Sequence, residues 1–223
     1  MKASKKTEVI DPGGANRIQL EKSCGPTQID IDKRIMMNID KAEVVRLTEE
    51  YGGAWGINHT RRLLHLTIVI GEGIDYNTDA VWLAAHLHDW GAYAKWAQKD
   101  VDHVERSLQV ARDFLAERSL PSDFQTLVLE CIALHHTGGS ERSIESILLR
   151  DADVLDFLGV VGVLRDFSKN ARDLRGAYQV VQKRREKLPA LLTLDKSKAL
   201  AAERLQFMDE LLARFEGETF GCF

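Results

Sequence analysis

From Asp40 onward, apolar residues recur at the three-and-four spacing of a helix, interrupted by short polar or glycine-bearing breaks. DKAEVVRLTEEYGG opens with Asp40 as a capping residue and closes on glycines. HTRRLLHLTIVIGEG follows, and then TDAVWLAAHLHDWG, with Thr78 or Asp79 as its cap. VDHVERSLQVARDFLAERSLP stops at Pro121, and SDFQTLVLECIALHHTGG starts from Ser122 or Asp123 and stops at two glycines. SIESILLRDADVLDFLGVVGVLRDF is the next stretch, and further helices are predicted over 174–187 and 196–215. In the last of these, Leu205, Met208, Leu211, Leu212 and Phe215 mark one face. No segment alternates as a strand would. The pattern predicts an all-α domain over residues 39–223, a compact multi-helix bundle with short loops and no internal repeat.

Residues 1–38 read differently. DPGGAN and SCGPT are turn-rich and periodicity is weak, so an N-terminal extension, flexible or loosely docked, is expected. An arm packed on a partner subunit is the alternative.

Composition narrows the function classes. The chain has 223 residues, 44% of them hydrophobic, enough for a sizeable core. A net charge of -4 gives no basic excess for wrapping nucleic acid or binding an anionic membrane. The three cysteines, Cys24, Cys131 and Cys222, are scattered and lack the spacing of a disulfide framework or zinc ribbon. No apolar run approaches the roughly 20 residues of a membrane span. The N-terminus has charges but no apolar stretch behind them, so no secretory signal is read and the cytoplasm is the expected location.

Against this background the polar groups on apolar faces stand out. Residues four and seven apart share a helix face. His59 continues through Leu63, Leu66 and Ile70, whereas His65 lies on another side and is expected at the surface. His103 shares a face with Ser107, Val110 and Phe114. His135 shares one with Val128, Cys131 and Ile132, and Asp153 one with Leu149 and Phe157. His88 and Asp89 end the apolar run LAAHLHDWG. One such histidine is ordinarily a hydrogen-bonded core residue, and His86 is read that way. Several together would each cost about 1–3 kcal/mol if left unpaired. A shared metal centre satisfies them at once. Imidazole and carboxylate donors without thiolate suit Mn, Fe, Co, Ni or Zn. Trp55, Trp82, Trp90 and Trp96 read as core or rim aromatics.

His59 in NHTRR, the His88-Asp89 doublet and Asp153 in RDADVLDFLG stand in the order H…HD…D on helices. This resembles the HD superfamily of metal-dependent phosphohydrolases, over roughly residues 40–167. The resemblance implies that His59, His88, Asp89 and Asp153 hold one divalent ion, with Asp156 packing behind them. His103, and either His135 or His136, resemble the added ligands of the binuclear branch, in which the doublet aspartate bridges two ions. One feature departs from the family. The doublet often continues as HD-x-G-K, whereas here it reads HDWGA, with Ala92 in the lysine position. Lys95, one turn further on, Arg62 and Arg150 are the candidate cations for a phosphate group.

The resemblance implies hydrolysis of a phosphate ester or anhydride by metal-activated water, with a phosphorylated small molecule, nucleotides foremost, as the substrate. Asp89 orients the water. With His135 as the ligand, His136 is left to protonate the leaving group. The same ligand set admits two alternatives: a di-iron oxygenase using O2, or a non-catalytic nucleotide-binding module. The apolar tail ETFGCF either covers a neighbouring subunit or folds back. There is no GxxxxGK phosphate loop.

Overall fold

Asp40 caps the first helix, α1 (Lys41–Ile70), its carboxylate accepting from the amides of Ala42 at 3.0 Å and Glu43 at 3.1 Å. The expected stop at the glycines does not occur. The helix bends instead at Gly53, where φ is 59° and ψ is -166°, and continues. The reason is a tertiary contact: the Tyr93 ring fills the notch left by Gly52 and Gly56. A Cβ at either position would come within 2.5 Å of it.

The computed structural model describes residues 39–137, 142–169 and 171–223. The predicted extension, residues 1–38, lies outside them. After α1 come α2 (Thr78–Leu87), α3 (His103–Ala116), α4 (Ser122–Leu134) and α5 (Ile144–Phe157). They are followed by α6 (Gly159–Lys169), α7 (Leu174–Lys187) and α8 (Asp195–Thr219). Single turns of 3-10 helix occur at Trp90–Ala92 and Leu188–Leu191. No strand occurs among the described residues, so the all-α expectation holds.

Two caps differ from expectation. Asn77, not Thr78 or Asp79, caps α2 by accepting from the Ala80 amide at 2.9 Å, while Asp79 pairs with Lys41 at 2.7 Å. Helix α4 has no side-chain cap and starts after Pro121, because Asp123 instead accepts from the neighbouring Phe124 amide at 2.9 Å. The stretch from Ser143 to Phe167 is two helices. Leu158 is extended and Gly159 has φ of 81°, which ends α5 and turns the chain into α6.

Helices α1, α2, α4 and α5 enclose the core, where Leu63, Leu83, Leu87, Val128, Ile132, Leu148, Leu149 and Leu155 are fully buried. Fully burying such side chains stabilises by about 1.5–3 kcal/mol each. Helices α6, α7 and α8 pack on one another and against α5. Trp90 lies stacked on Trp96, ring centroids 4.6 Å apart, and donates its indole N–H to Thr48 at 3.0 Å. The tail folds back: the Phe223 ring sits 4.8 Å from that of Phe215 and 5.1 Å from that of Tyr178. Among the described residues, no helix is long and apolar enough to cross a membrane.

Candidate metal centre

The floor of the site is built where α2 ends. On a continuing helix, His88 and Asp89 would diverge by about 100°. Asp89 instead leaves the helix, with φ of -105° and ψ of 3°, and both side chains reach one point. His88 Nε2 lies 3.5 Å from Asp89 Oδ2. From α1, His59 Nε2 comes within 3.3 Å of His88 Nε2 and 3.7 Å of Asp89 Oδ2. From α5, Asp153 Oδ1 lies 3.2 Å from His59 Nε2. The structure thus brings His59, His88, Asp89 and Asp153 together from three elements.

Ring tautomers follow from the partners. His59 Nδ1 faces Asp156 Oδ2 at 2.7 Å. His88 Nδ1 faces the Ala85 carbonyl at 2.9 Å, and His135 Nδ1 the Ile132 carbonyl at 2.6 Å. Each partner only accepts, so each Nδ1 carries the proton, and each ring in its neutral form presents a bare Nε2. Two such lone pairs 3.3 Å apart, beside two carboxylates, repel unless a cation lies among them. His135 Nε2 and Asp153 Oδ1 are buried without a hydrogen-bond partner. These orphaned atoms and the nitrogen–oxygen donor set fit a divalent transition metal.

The electrostatics carry the same demand for positive charge, and a proton on the His59 ring competes with a metal ion for its Nε2. Burial opposes charge on His59, but contacts with Asp153 and Asp156, and the charges of Asp153 and Asp89, push its pKa up to about 9. Burial alone would raise the carboxyls of Asp89 and Asp153. The neighbouring rings of His59 and His88 overcome this and hold both below the usual carboxylate value. Burial pulls His135 down to about 3, leaving it a neutral donor.

His103, His135 and His136 form a second group whose ligand atoms lie within 4.8 Å of one another. His103 Nε2 is 3.1 Å from His136 Nε2, and His136 Nδ1 is 3.9 Å from Asp153 Oδ2. This group therefore touches the first through Asp153. Gly91 makes the arrangement possible by letting the doublet turn pack on α3. Its amide donates to Ser107 Oγ at 2.9 Å, and a Cβ there would lie 2.5 Å from the His103 carbonyl oxygen.

The three cations expected to meet a phosphate group each have another partner in the structure. Arg150 is buried in ion pairing with Asp151 at 3.1 Å and in a bond to Thr193, which ties α5 to the start of α8. Its guanidinium is spent there. Arg62 is bidentate on Asp156, at 2.5 and 3.0 Å, and lines a separate groove with His65 and Arg204. Lys95 does not follow the doublet on a helical turn, because the chain is extended at Tyr93, and its ammonium sits 3.7 Å above the Tyr51 ring. His86, as expected, is a buried helix-face histidine, its Nδ1 donating to the Trp82 carbonyl at 2.8 Å.

The residues that sequence reasoning missed are Arg165, Lys169 and Arg184. They line a 680 Å³ cleft above Asp89 and Asp153, with His103 and His136 on its wall. The four-residue interval between Arg165 and Lys169 on one helix was the available signal.

The family model for the HD domain matches residues 56–158. The chain carries an HD domain. Solved structures agree in fold. Bacillus subtilis YpgQ in complex with ADP is 21% identical with a TM-score of 0.63, covering 84% of this chain and 96% of that one. An HD-superfamily hydrolase from Bacillus thuringiensis is 23% identical with a TM-score of 0.63, covering 84% and 97%. A predicted HD superfamily hydrolase from an uncultured Thermotogales bacterium is 23% identical with a TM-score of 0.54, covering 86% and 93%. A comparison with curated protein sequences returns no match. The HD doublet is His88-Asp89, with His59 before it and Asp153 after it, all within the matched residues.

Proposed function

We propose that this HD domain is a metal-dependent phosphohydrolase acting on a phosphorylated small molecule of the nucleotide class. The observation that carries the reading is the convergence of His59, His88, Asp89 and Asp153 at a cleft whose other wall is cationic. The ADP held by YpgQ supports the nucleotide class. A bound divalent ion supplies Lewis acidity and makes water a nucleophile near neutral pH. Asp89, partly exposed where His59 and His88 are buried, accepts a hydrogen bond from the attacking water and orients it. His136, half-exposed on the cleft wall, is the group placed to pass a proton to the leaving oxygen, with burial lowering its pKa and so easing the proton's release. Arg165, Lys169 and Arg184 make the facing wall of the cleft cationic and so attract an anionic substrate to it.

The test is phosphate release from a panel of nucleotides and simple phosphoesters by protein stripped and reloaded with Mn²⁺. Asp89→Ala is expected to lower release by at least about 100-fold while the protein stays folded. Full hydrolysis by that variant would sink the mechanism.

The second histidine group favours one other reading: with His103 and His135 or His136 as ligands, two irons are held and O2 is activated. Anaerobic iron loading followed by O2-dependent turnover supports that reading; activity of iron-free, Mn²⁺-loaded protein excludes it. Tight nucleotide binding with no turnover under either condition leaves a binding module.

A further inference from the structure

The cleft offers an anion two places. One is the floor, where a bound divalent ion would balance the carboxylates of Asp89 and Asp153. The other is a cluster on α6 and α7, beyond residues 56–158 and so beyond the family match. Two aromatic rings hold its cations close together. The Arg165 guanidinium lies 4.7 Å from the Trp55 ring centroid and 4.8 Å from that of Phe157. Lys169 Nζ lies 4.7 Å from the Trp55 centroid, and the Arg184 guanidinium 4.2 Å from that of Phe157.

Charge counting shows what this cluster lacks. Arg62 and Arg165 both pair with Asp156, and Arg184 pairs with Asp166. With Lys169, four cations face two carboxylates, a surplus of two positive charges. Burial, then the charges of Arg165 and Arg184, lower the Lys169 ammonium, while Asp166 and Asp89 act the other way. Lys169 therefore feels both its cationic neighbours and the metal-site aspartate. Like charges held this close favour an anion between them.

We propose that Arg165, Lys169 and Arg184 form a polyanion subsite that selects substrates carrying two or more linked phosphates over phosphate monoesters. A monoester presents one anionic group and is served by the metal floor alone. A di- or triphosphate presents a second group, which reaches the cationic wall while the first remains at the floor. Trp55, 42% exposed at the lip, is placed to report on that occupancy. The assignment rests on the phosphohydrolase reading only for its consequence in turnover; the binding step stands apart.

The probes are inorganic tripolyphosphate and orthophosphate, titrated against Mn²⁺-loaded, full-length protein by calorimetry and tryptophan fluorescence. Lys169 is solvent-exposed, so its variants leave the core intact. Tripolyphosphate is expected to bind wild-type protein more tightly than orthophosphate. Lys169→Gln is expected to cut that preference at least about tenfold, Lys169→Glu to cut it further, and Lys169→Arg to restore most of it. In turnover, Lys169→Gln is expected to raise KM for a nucleoside triphosphate more than for p-nitrophenyl phosphate. Equal effects of Lys169→Gln on both anions, or none, overturn the subsite. Preference through Lys169 without hydrolysis of any substrate leaves the subsite standing and removes the hydrolase reading. Hydrolysis with no Lys169-dependent preference does the reverse.

Discussion

Asp156 Oδ2 accepts the His59 Nδ1 proton at 2.7 Å, and this turns His59 Nε2 towards the site, 3.2 Å from Asp153 Oδ1. Asp156 is itself gripped by Arg62 and Arg165. The ring is thus fixed in direction by a carboxylate that lies outside the candidate ligand set. Burial alone would raise the Asp156 carboxyl, but the bonds from His59 and Arg62 bring it down to about 2, so it stays ionised. Partners of this kind are worth roughly 10–100-fold in metal affinity. Asp156→Asn is therefore expected to weaken Mn²⁺ binding by about that factor. Calorimetric titration checks this, and an unchanged affinity would show that the pair merely packs.

Metal binding also feeds into stability. A ligand that binds the folded chain alone stabilises it by about 2.7 kcal/mol at one hundred times its Kd. Mn²⁺ is expected to raise the melting temperature of stripped protein, and a chelator to reverse the rise. In Asp153→Ala the shift is expected to disappear, because a buried ligand oxygen is gone. A Mn²⁺-dependent rise of equal size in Asp153→Ala would place the ion elsewhere.

Much of this was legible in the sequence. His59, the doublet and Asp153 sit on helix faces that local periodicity reveals, and the Asp40 cap is a local signal. The rest depended on contacts between distant segments. The bend at Gly53 exists because Tyr93, forty residues away, needs the space of Gly52 and Gly56. Arg62 and Arg150 look like candidate phosphate ligands until their carboxylate partners, Asp156 and Asp151, are seen. Arg165, Lys169 and Arg184 look like surface cations until α6 and α7 fold over the doublet. The break after Phe157 was masked because Leu158 and Gly159 interrupt neither the apolar count nor the spacing.

Gly91 gives a prediction that separates fold from chemistry. A Cβ at this position would lie 2.3 Å from the Ser107 nitrogen and 2.5 Å from the His103 carbonyl oxygen, both backbone atoms that no rotamer change can move. Gly91→Ala must therefore push α3 away from the doublet turn. Overpacking of this kind costs about 1–3 kcal/mol. Urea unfolding should show a lowered midpoint with an unchanged slope. The displaced start of α3 carries His103, so the second histidine group should lose ion affinity more than the first. Retention of full stability would mean that the turn is looser than the packing implies.

His86 sets an acid-side limit on stability. Its ring is buried, donates to the Trp82 carbonyl and lies 4.1 Å, centroid to centroid, from the Trp82 ring. Burial holds its pKa down to about 4, against an ordinary value of 6.5. Between these values the unfolded chain binds a proton that the folded chain refuses. Stability contributed by the neutral ring is therefore complete above pH 6.5 and falls as pH drops towards 4. The shift corresponds to a loss on the order of 3 kcal/mol. His86→Phe keeps a ring of similar size and removes the titration. Denaturation midpoints from pH 7 to 4 should then decline less steeply in the variant than in the wild type. Parallel declines would assign the acid sensitivity to other groups.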